Sequence, residues 1–134
     1  MSEIEQLFLM VTDLEVARLF YEDGLQLEPT EIGNSSVAYD TGPCELKIET
    51  DFEPDVLDQF NMSPPPNENR GAGAVTVIRS ATPLEDLTSR IENDLPDGTG
   101  EIRMEPREVP WGGVMCLAAD PDGYIFEIRP PAER

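Results

Sequence analysis

The sequence predicts an α+β domain of two tandem modules, each made of a strand, a helix and then three strands (βαβββ). Two observations predict it. A short apolar run followed by a helix-start signal occurs twice, and three strand-like segments follow each helix signal. The 134 residues are enough for one domain with a buried core and no disulfide or metal. We therefore expect a single domain over 1–134, with modules at 1–50 and 73–130 and a linker at 51–72.

The start of each helix is predicted from its capping residues. Thr12 is followed three residues later by Glu15, which is the spacing of a capping box. In the second half, Thr82 is followed by Pro83, which favours the first helical position. Each signal precedes apolar residues spaced i, i+3, i+7, the pattern of one helix stripe packed on a sheet. These stripes are Leu14, Ala17 and Tyr21 in the first helix and Leu84, Leu87 and Ile91 in the second.

Turn residues then divide the rest of each module into short strands. Gly24 and Asp94 lie at the same offset from the two capping threonines and are the predicted helix ends. The predicted strands that follow are 26–32, 35–40, 43–49, 101–108, 113–119 and 123–129. The linker contains one further helical segment, EPDVLDQF, before a stretch rich in Pro, Asn and Gly.

Charge and residue usage exclude several functions. The chain has 28 acidic and 9 basic residues and a net charge of -19, so we expect neither nucleic acid nor an anionic membrane as a partner. The acidic N-terminus and the short apolar runs predict a cytoplasmic protein, with Cys44 and Cys116 as reduced thiols buried in strands. Dense carboxylates with one lysine are typical of a haloarchaeal-type acidic protein, which stays soluble in high salt.

The absence of histidine narrows the chemistry further. The chain contains no histidine. Imidazole is the commonest ligand for zinc, iron and copper and the usual general base near neutral pH. Serine–histidine hydrolysis, two-histidine iron oxygenation and histidine-built zinc sites are therefore excluded within this chain. Any acid–base role falls to carboxylates, tyrosine, cysteine or Lys47.

The tandem organisation, with VTDLEVARLFYEDGLQLEP at 11–29 and DPDGYIFEI at 120–128, resembles the vicinal oxygen chelate superfamily over nearly the whole chain. That superfamily includes glyoxalase I, bleomycin-resistance proteins and extradiol dioxygenases. The resemblance implies that each module curls its sheet into a half-barrel. It also implies that paired modules enclose a cavity for a ligand and often a divalent metal, and we expect a homodimer. We read DPDG itself as a type I turn without a chemical role.

The resemblance also implies a set of site residues. The family's metal ligands come from the first and last strands of each module and map onto Gln6, Glu45, Ala74 and Glu127. Ala74 has no ligating atom, and the family pattern has histidine there. The remaining amide and two carboxylates form a weak, all-oxygen site that suits Mg²⁺, Mn²⁺ or another hard divalent cation. The alternative is an ordinary ion-paired strand face, with Lys47 and Arg129 neutralising the carboxylates.

Other residues are expected to line the cavity. Phe8 and Met10 share a strand face with Gln6, and Trp111 can stack on a ligand or cover the cavity rim. These four are the predicted ligand-binding residues. Glu127 and Glu45 are the predicted catalytic residues if the protein is an enzyme, in which they would shuttle a proton.

We expect a protein that binds a small, partly apolar organic ligand without a cofactor or a tightly bound transition metal, as the metal-free bleomycin-resistance branch does. The alternative is a divalent-metal-dependent lyase or isomerase of the glyoxalase I (lactoylglutathione lyase) type acting through an enediolate. A dioxygenase is not expected without histidine. A third reading is a structural or regulatory subunit whose cavity has collapsed around side chains.

Overall fold

The computed structural model describes residues 1–132 and contains two four-stranded sheets with three short helices. In chain order its elements are β1 (Gln6–Val11), α1 (Leu14–Arg18), β2 (Pro29–Ile32), β3 (Ser36–Asp40), β4 (Glu45–Thr50), α2 (Pro54–Gln59), β5 (Val75–Arg79), α3 (Leu84–Ser89), β6 (Glu101–Glu108), β7 (Val114–Ala119) and β8 (Ile125–Arg129). The predicted α+β architecture of two tandem βαβββ modules is confirmed.

The two sheets repeat the same topology. The strand orders are β1-β4-β3-β2 and β5-β8-β7-β6, so the first and last strand of each module are neighbours. These neighbours run parallel, with Gln6 aligned with Glu45 in one sheet and Val77 with Glu127 in the other. The other pairs are antiparallel. In the first module this topology places Gln6 directly beside Glu45 on adjacent strands.

The helices begin one residue later than their capping signals predicted. Asp13, rather than Thr12, is the N-cap of α1, and its carboxylate accepts a hydrogen bond from the Val16 amide. Pro83 is the cap residue of α3 and not its first helical residue. Both helices continue into π-helical turns, which span Leu19–Gly24 and Arg90–Asp94. The predicted ends at Gly24 and Asp94 are therefore confirmed.

One hydrophobic core is shared by both modules. Tyr21, within the π-helical turn that follows α1, has its ring centroid 6.1 Å from Tyr39 of β3 and 5.7 Å from Phe126 of β8. Phe20 lies 5.8 Å from the same Phe126 ring. All four aromatic residues are fully buried, together with Leu87 of α3. The helical segments are thus packed against the inner faces of both sheets, which leaves the opposite face of each sheet open.

Buried polar residues at the DPDG turn also connect the modules. The turn is closed by a bond of 3.1 Å from the Gly123 amide to the Asp120 carbonyl oxygen. Beyond that predicted role, the Asp120 carboxylate accepts a bond of 2.7 Å from the Tyr21 hydroxyl. The Asp122 carboxylate accepts one of 2.8 Å from the Thr12 hydroxyl, so this threonine binds the other module instead of capping α1.

Arg70 of the linker completes this connection. Its side chain is only 2% exposed and contacts Asp51 at 2.6 Å. It also donates a hydrogen bond of 3.1 Å to the carbonyl oxygen of Met10. The linker is therefore held against the first module, while its own backbone bonds the DPDG turn of the second through the Arg70 amide and the Asp122 carbonyl oxygen.

Two remaining expectations concern the cysteines and membranes. Cys116 is buried in β7, whereas Cys44 is half-buried and precedes β4, and both thiols are free. The prediction of two strand-buried cysteines therefore needs this correction for Cys44. Every helix within residues 1–132 is too short or too polar to cross a bilayer.

Candidate functional site

Strand alternation separates the core side of each sheet from the face on which the site is expected. In β4, Leu46 and Ile48 are buried, whereas Glu45, Lys47 and Glu49 retain exposed surface. We call the side that carries Glu45 the open face of the first sheet. Its counterpart in the second sheet, the open face of β5 and β8, carries Val77 and Arg79 on β5 and Glu127 and Arg129 on β8.

On the open face of the first sheet, the two predicted metal-ligating residues bind each other. The Gln6 amide nitrogen donates a short hydrogen bond to the Glu45 carboxylate. Lys47 pairs with Glu49 at 3.3 Å rather than with Glu45. Its ammonium group also lies 5.4 Å from the centroid of the Phe8 ring. Glu45 is therefore paired with Gln6, and not with Lys47 as the ion-paired alternative predicted.

The other two predicted ligand-binding residues of β1 are partly covered. The Phe8 ring packs edge-on against Phe52, with centroids 5.8 Å apart. Met10 is 9% exposed, and its carbonyl oxygen accepts bonds from Arg70 and from the Tyr124 hydroxyl. Of the two side chains, only that of Phe8 keeps appreciable exposed surface for a ligand.

Ala74 does not occupy the position opposite Glu127. It is exposed and lies just before β5, and the residue aligned with Glu127 is Val77. The odd-numbered residues of β5 lie on the open face, whereas Ile78 packs against the core. The residue that faces Glu127 across the two strands is thus Val77, which comes three positions after Ala74.

The second module forms a cavity of about 380 Å³ that contains two of the predicted site residues, Glu127 and Trp111. Trp111 is 72% exposed and follows β6 in the turn that leads to β7. Arg129 donates a hydrogen bond of 2.9 Å to the Glu127 carboxylate, as the ion-paired alternative predicted. The remaining lining residues are Arg79, Val109, Gly112, Gly113, Val114, Met115 and Pro130.

Sequence reasoning missed Arg79 as a site residue. It is aligned with Arg129 on the neighbouring strand, and its guanidinium donates a bond of 2.9 Å to the Pro130 carbonyl oxygen. The available signal was the alternation of β5, which places Arg79 on the same face as Val77. A second cavity of about 570 Å³ lies between the modules, has largely apolar walls such as Leu7, Leu46 and Phe126, and also includes Arg79.

The donor atoms present do not fit a family-type metal ion within one chain. Gln6 and Glu45 belong to the first sheet, Glu127 belongs to the second, and no residue of the first module lines the cavity around Glu127. Within the described residues, no three Asp, Glu or Cys side chains are grouped in a way that could hold a metal ion. The four mapped positions thus form two separate groups.

The polar groups of the DPDG turn lie apart from this cavity. Burial raises the pKa of Asp120 to about 6, although hydrogen bonds from Tyr21 and from the Tyr124 amide act in the opposite direction. Burial also raises the pKa of the Tyr21 hydroxyl. Neither residue lines the cavity that contains Glu127. We therefore assign them a structural role.

Solved structures with the same fold have dissimilar sequences. A glyoxalase-related enzyme from Fulvimarina pelagi is 18% identical with a TM-score of 0.75, covering 97% of this chain and 88% of its own. A glyoxalase/bleomycin resistance protein/dioxygenase family enzyme from Burkholderia phytofirmans is 10% identical with a TM-score of 0.70, covering 98% and 100%. A virulence protein from Salmonella typhimurium is 24% identical with a TM-score of 0.64, covering 98% of each chain.

The family assignment rests on the sequence as well as on the fold. The sequence identities to these solved structures are low, so the comparison with them shows the fold alone. No curated protein matches the chain significantly. The model of the Glyoxalase/Bleomycin resistance protein/Dioxygenase superfamily matches residues 3–128, nearly the whole chain. The chain therefore belongs to the glyoxalase/bleomycin resistance protein/dioxygenase superfamily.

Proposed function

We propose that this protein binds a small, partly apolar organic ligand on the open face of its second sheet, without a tightly bound transition metal. The observation that carries the proposal is the cavity of about 380 Å³ lined by Trp111, Glu127 and apolar side chains. A volume of this size is in the range of small-molecule sites, and such sites combine apolar walls with a few polar groups.

The pairing of the predicted ligands supports the metal-free part of the proposal. Glu45 is held by Gln6, and Glu127 is held by Arg129. A cation would have to displace these partners and would gain only oxygen ligands. Histidine and cysteine ligands, which zinc, nickel and iron prefer, are missing from both groups.

We further propose that the protein acts as a homodimer. Val75, Val77, Trp111 and Val114 are 55%, 49%, 72% and 39% exposed, and they lie on or beside the open face of the second sheet. A second copy that covers this face would bury those side chains and would add a wall to a cavity that one chain lines from one side only. In this proposal the partner chain completes the cavity.

Composition supports a proposal about the cellular setting. A net charge of -19 favours solubility in concentrated salt, and the two free cysteines suit a reducing compartment. We therefore propose that the protein works in the cytoplasm of a salt-accumulating organism.

Tryptophan fluorescence tests ligand binding directly, because Trp111 is the only tryptophan of the chain. We expect small aromatic alcohols, acids and amides to change the Trp111 emission saturably at millimolar concentration or below. The matched control is the double variant Trp111→Phe/Phe60→Trp, which moves the reporter to another exposed position. A saturable response that persists in the control, or no response in the wild type, would contradict binding in this cavity.

Metal content tests the second candidate function, a divalent-metal-dependent lyase or isomerase. The adjacency of Gln6 and Glu45 favours that candidate, since their side chains already lie together on one face. Native mass spectrometry with elemental analysis, on protein purified in high salt, would report both the dimer mass and any bound ion. We expect a dimer without stoichiometric transition metal, and one such ion per chain would overturn the metal-free proposal.

A further inference from the structure

We propose that the ligand of the cavity around Trp111 is an organic anion, namely a carboxylate or phosphonate attached to an aromatic or apolar body. This inference rests on the proposed function and specifies its ligand class. The observation behind it is the pair of guanidinium groups, Arg79 and Arg129, that line this cavity in a strongly acidic protein.

The local charge of the cavity is opposite to that of the whole molecule. The chain carries -19 overall, yet the cavity is lined by two arginines and one carboxylate, Glu127. The other basic residues mostly sit beside carboxylates, as in the pairs Arg18–Glu22, Lys47–Glu49 and Arg70–Asp51. Among residues 1–132, no carboxylate oxygen lies within 4.0 Å of the Arg79 guanidinium. Counted over the described lining residues, the cavity therefore carries one positive charge in excess.

The two arginines are adjacent by strand register. Arg79 of β5 is aligned with Arg129 of β8, so both side chains leave the sheet on its open face. Like charges on neighbouring strands repel each other, and a bound anion would offset that repulsion by attracting both guanidinium groups. A cavity lined by two arginines from adjacent strands is suited to the planar or tetrahedral oxygens of a carboxylate or phosphonate.

Both guanidinium groups retain hydrogen-bond donors for a ligand. Arginine has five N–H donors. Within the described residues, Arg79 gives one to the Pro130 carbonyl oxygen and Arg129 gives one to Glu127. The side chain of Arg129 is 48% exposed, so its other donors can be reached from the cavity. An anion can therefore be bound without breaking either contact.

The rest of the wall predicts the body of the ligand. Trp111 offers an indole ring, and Val109, Val114 and Met115 add apolar surface. Gly112 and Gly113 have φ angles of 101° and 86°, which residues with side chains rarely adopt. The turn beside the indole therefore has no side chain at these two positions to obstruct a ligand. An aromatic ring can stack on the exposed indole while its acidic group reaches the arginines. A cationic ligand would meet the positive excess instead.

Competition between matched probes tests this inference. Trp111 fluorescence is titrated with phenylacetate, phenylphosphonate, benzyl alcohol and benzylamine at pH 7 in 50 mM and in 1 M KCl. We expect one or both anions to bind roughly tenfold more tightly than benzyl alcohol at low salt, because charge-assisted hydrogen bonds to arginine are the stronger class. Benzylamine should bind most weakly. The advantage of the anions should shrink at 1 M KCl, because exposed charges then interact over only about 3 Å.

Substitutions assign the effect to the two arginines. Arg79→Gln and Arg129→Gln should each weaken binding of the tighter anion roughly tenfold and leave benzyl alcohol unchanged. Arg103→Gln is the matched control, because Arg103 contacts Glu101 at 2.8 Å across the same i, i−2 spacing that joins Arg129 to Glu127 at 2.9 Å. It should leave all affinities unchanged.

The outcomes separate this inference from the function on which it rests. If benzyl alcohol binds as tightly as both anions, or if Arg103→Gln weakens anion binding as much as Arg129→Gln does, the anion assignment is overturned while ligand binding stands. If no probe changes the Trp111 emission, the proposed function fails as well. Preference for phenylphosphonate over phenylacetate would support a phosphonate or phosphate group, and the reverse would support a carboxylate.

Discussion

At the scale of single residues, Asp120 shows how a buried carboxylate can be kept in this fold. It is 3% exposed and accepts hydrogen bonds from the Tyr21 hydroxyl and from the amides of Asp122 and Tyr124. These donors compensate for much of the lost hydration, but burial still raises its pKa to about 6. Asp120 therefore links the two modules, and its raised pKa makes the stability of the fold depend on pH.

The pH dependence of unfolding should change in Asp120→Asn. In the unfolded chain the pKa of Asp120 is about 4, and in the folded protein it is about 6. Stability that is present below pH 4 is therefore lost as the pH rises through 6, and asparagine, which does not titrate, lacks this loss. The free energy of unfolding of the variant minus that of wild type should therefore be about 2 kcal/mol higher at pH 7 than at pH 4.

Urea unfolding at pH 4 and at pH 7 measures this difference. Asp97→Asn serves as the control, because Asp97 is exposed and the same chemical change there removes no buried charge. If the stability of Asp120→Asn relative to wild type is the same at both pH values, folding does not raise the pKa of Asp120.

At the scale of elements, the linker is positioned by one close backbone contact. The Gly71 amide donates a bond of 3.1 Å to the Gly123 carbonyl oxygen, just before β8. A Cβ atom on Gly71 would lie 2.6 Å from that oxygen and 2.7 Å from the Tyr124 Cα. Both obstacles are backbone atoms, so the neighbouring chain has little room to adjust. Glycine is required here by proximity rather than by its φ angle.

Gly71→Ala should accordingly destabilise the protein by about 2–3 kcal/mol, a cost typical of overpacking a tight site. Gly33→Ala is the matched control, since the nearest atom to its Cβ would be the Ser36 side-chain oxygen at 3.4 Å, an ordinary van der Waals distance. Thermal or urea unfolding of both variants measures the difference. Equal stabilities would mean that the segment around Gly71 does not pack against β8.

Element boundaries were largely predictable from the sequence, and the exception at the start of α1 has a physical cause. The predicted strand at 101–108 is observed as Glu101–Glu108, and the helix in EPDVLDQF is observed as Pro54–Gln59. The cap of α1 differed because Thr12 had two available partners. Its hydroxyl binds Asp122, which is 110 residues away in the chain, and Asp13 supplies the cap of α1. Local spacing rules do not include such a distant competitor.

At the scale of the whole molecule, the dominant electrostatic term is the excess of carboxylates. With 28 acidic residues against 9 basic ones, surface carboxylates repel one another in the compact state. The ion pairs are mostly local, for example Arg18 with Glu22 and Arg103 with Glu101, and exposed pairs of this kind contribute little stability. Screening by salt should therefore stabilise the fold.

Raising KCl from 0.1 to 2 M should raise the thermal unfolding midpoint, because the screening length falls from about 10 Å to a few ångströms. The matched comparison is the triple variant Glu31→Gln/Asp97→Asn/Glu108→Gln, which removes three exposed negative charges. It should be more stable than wild type at low salt and respond less to added KCl. A wild-type midpoint that falls or stays constant with KCl would contradict this account.

By itself, the sequence determined the tandem α+β modules, the ends of both helical segments and the face of β4 that carries Glu45, since these depend on local periodicity and turn residues. Only the tertiary structure decided which side chains meet. Glu45 binds Gln6, Glu127 shares a cavity with Trp111 and two arginines, and the two glutamates belong to separate sheets. The physical reason is that strand register and module packing arise from many distant contacts, which no local pattern in the chain encodes.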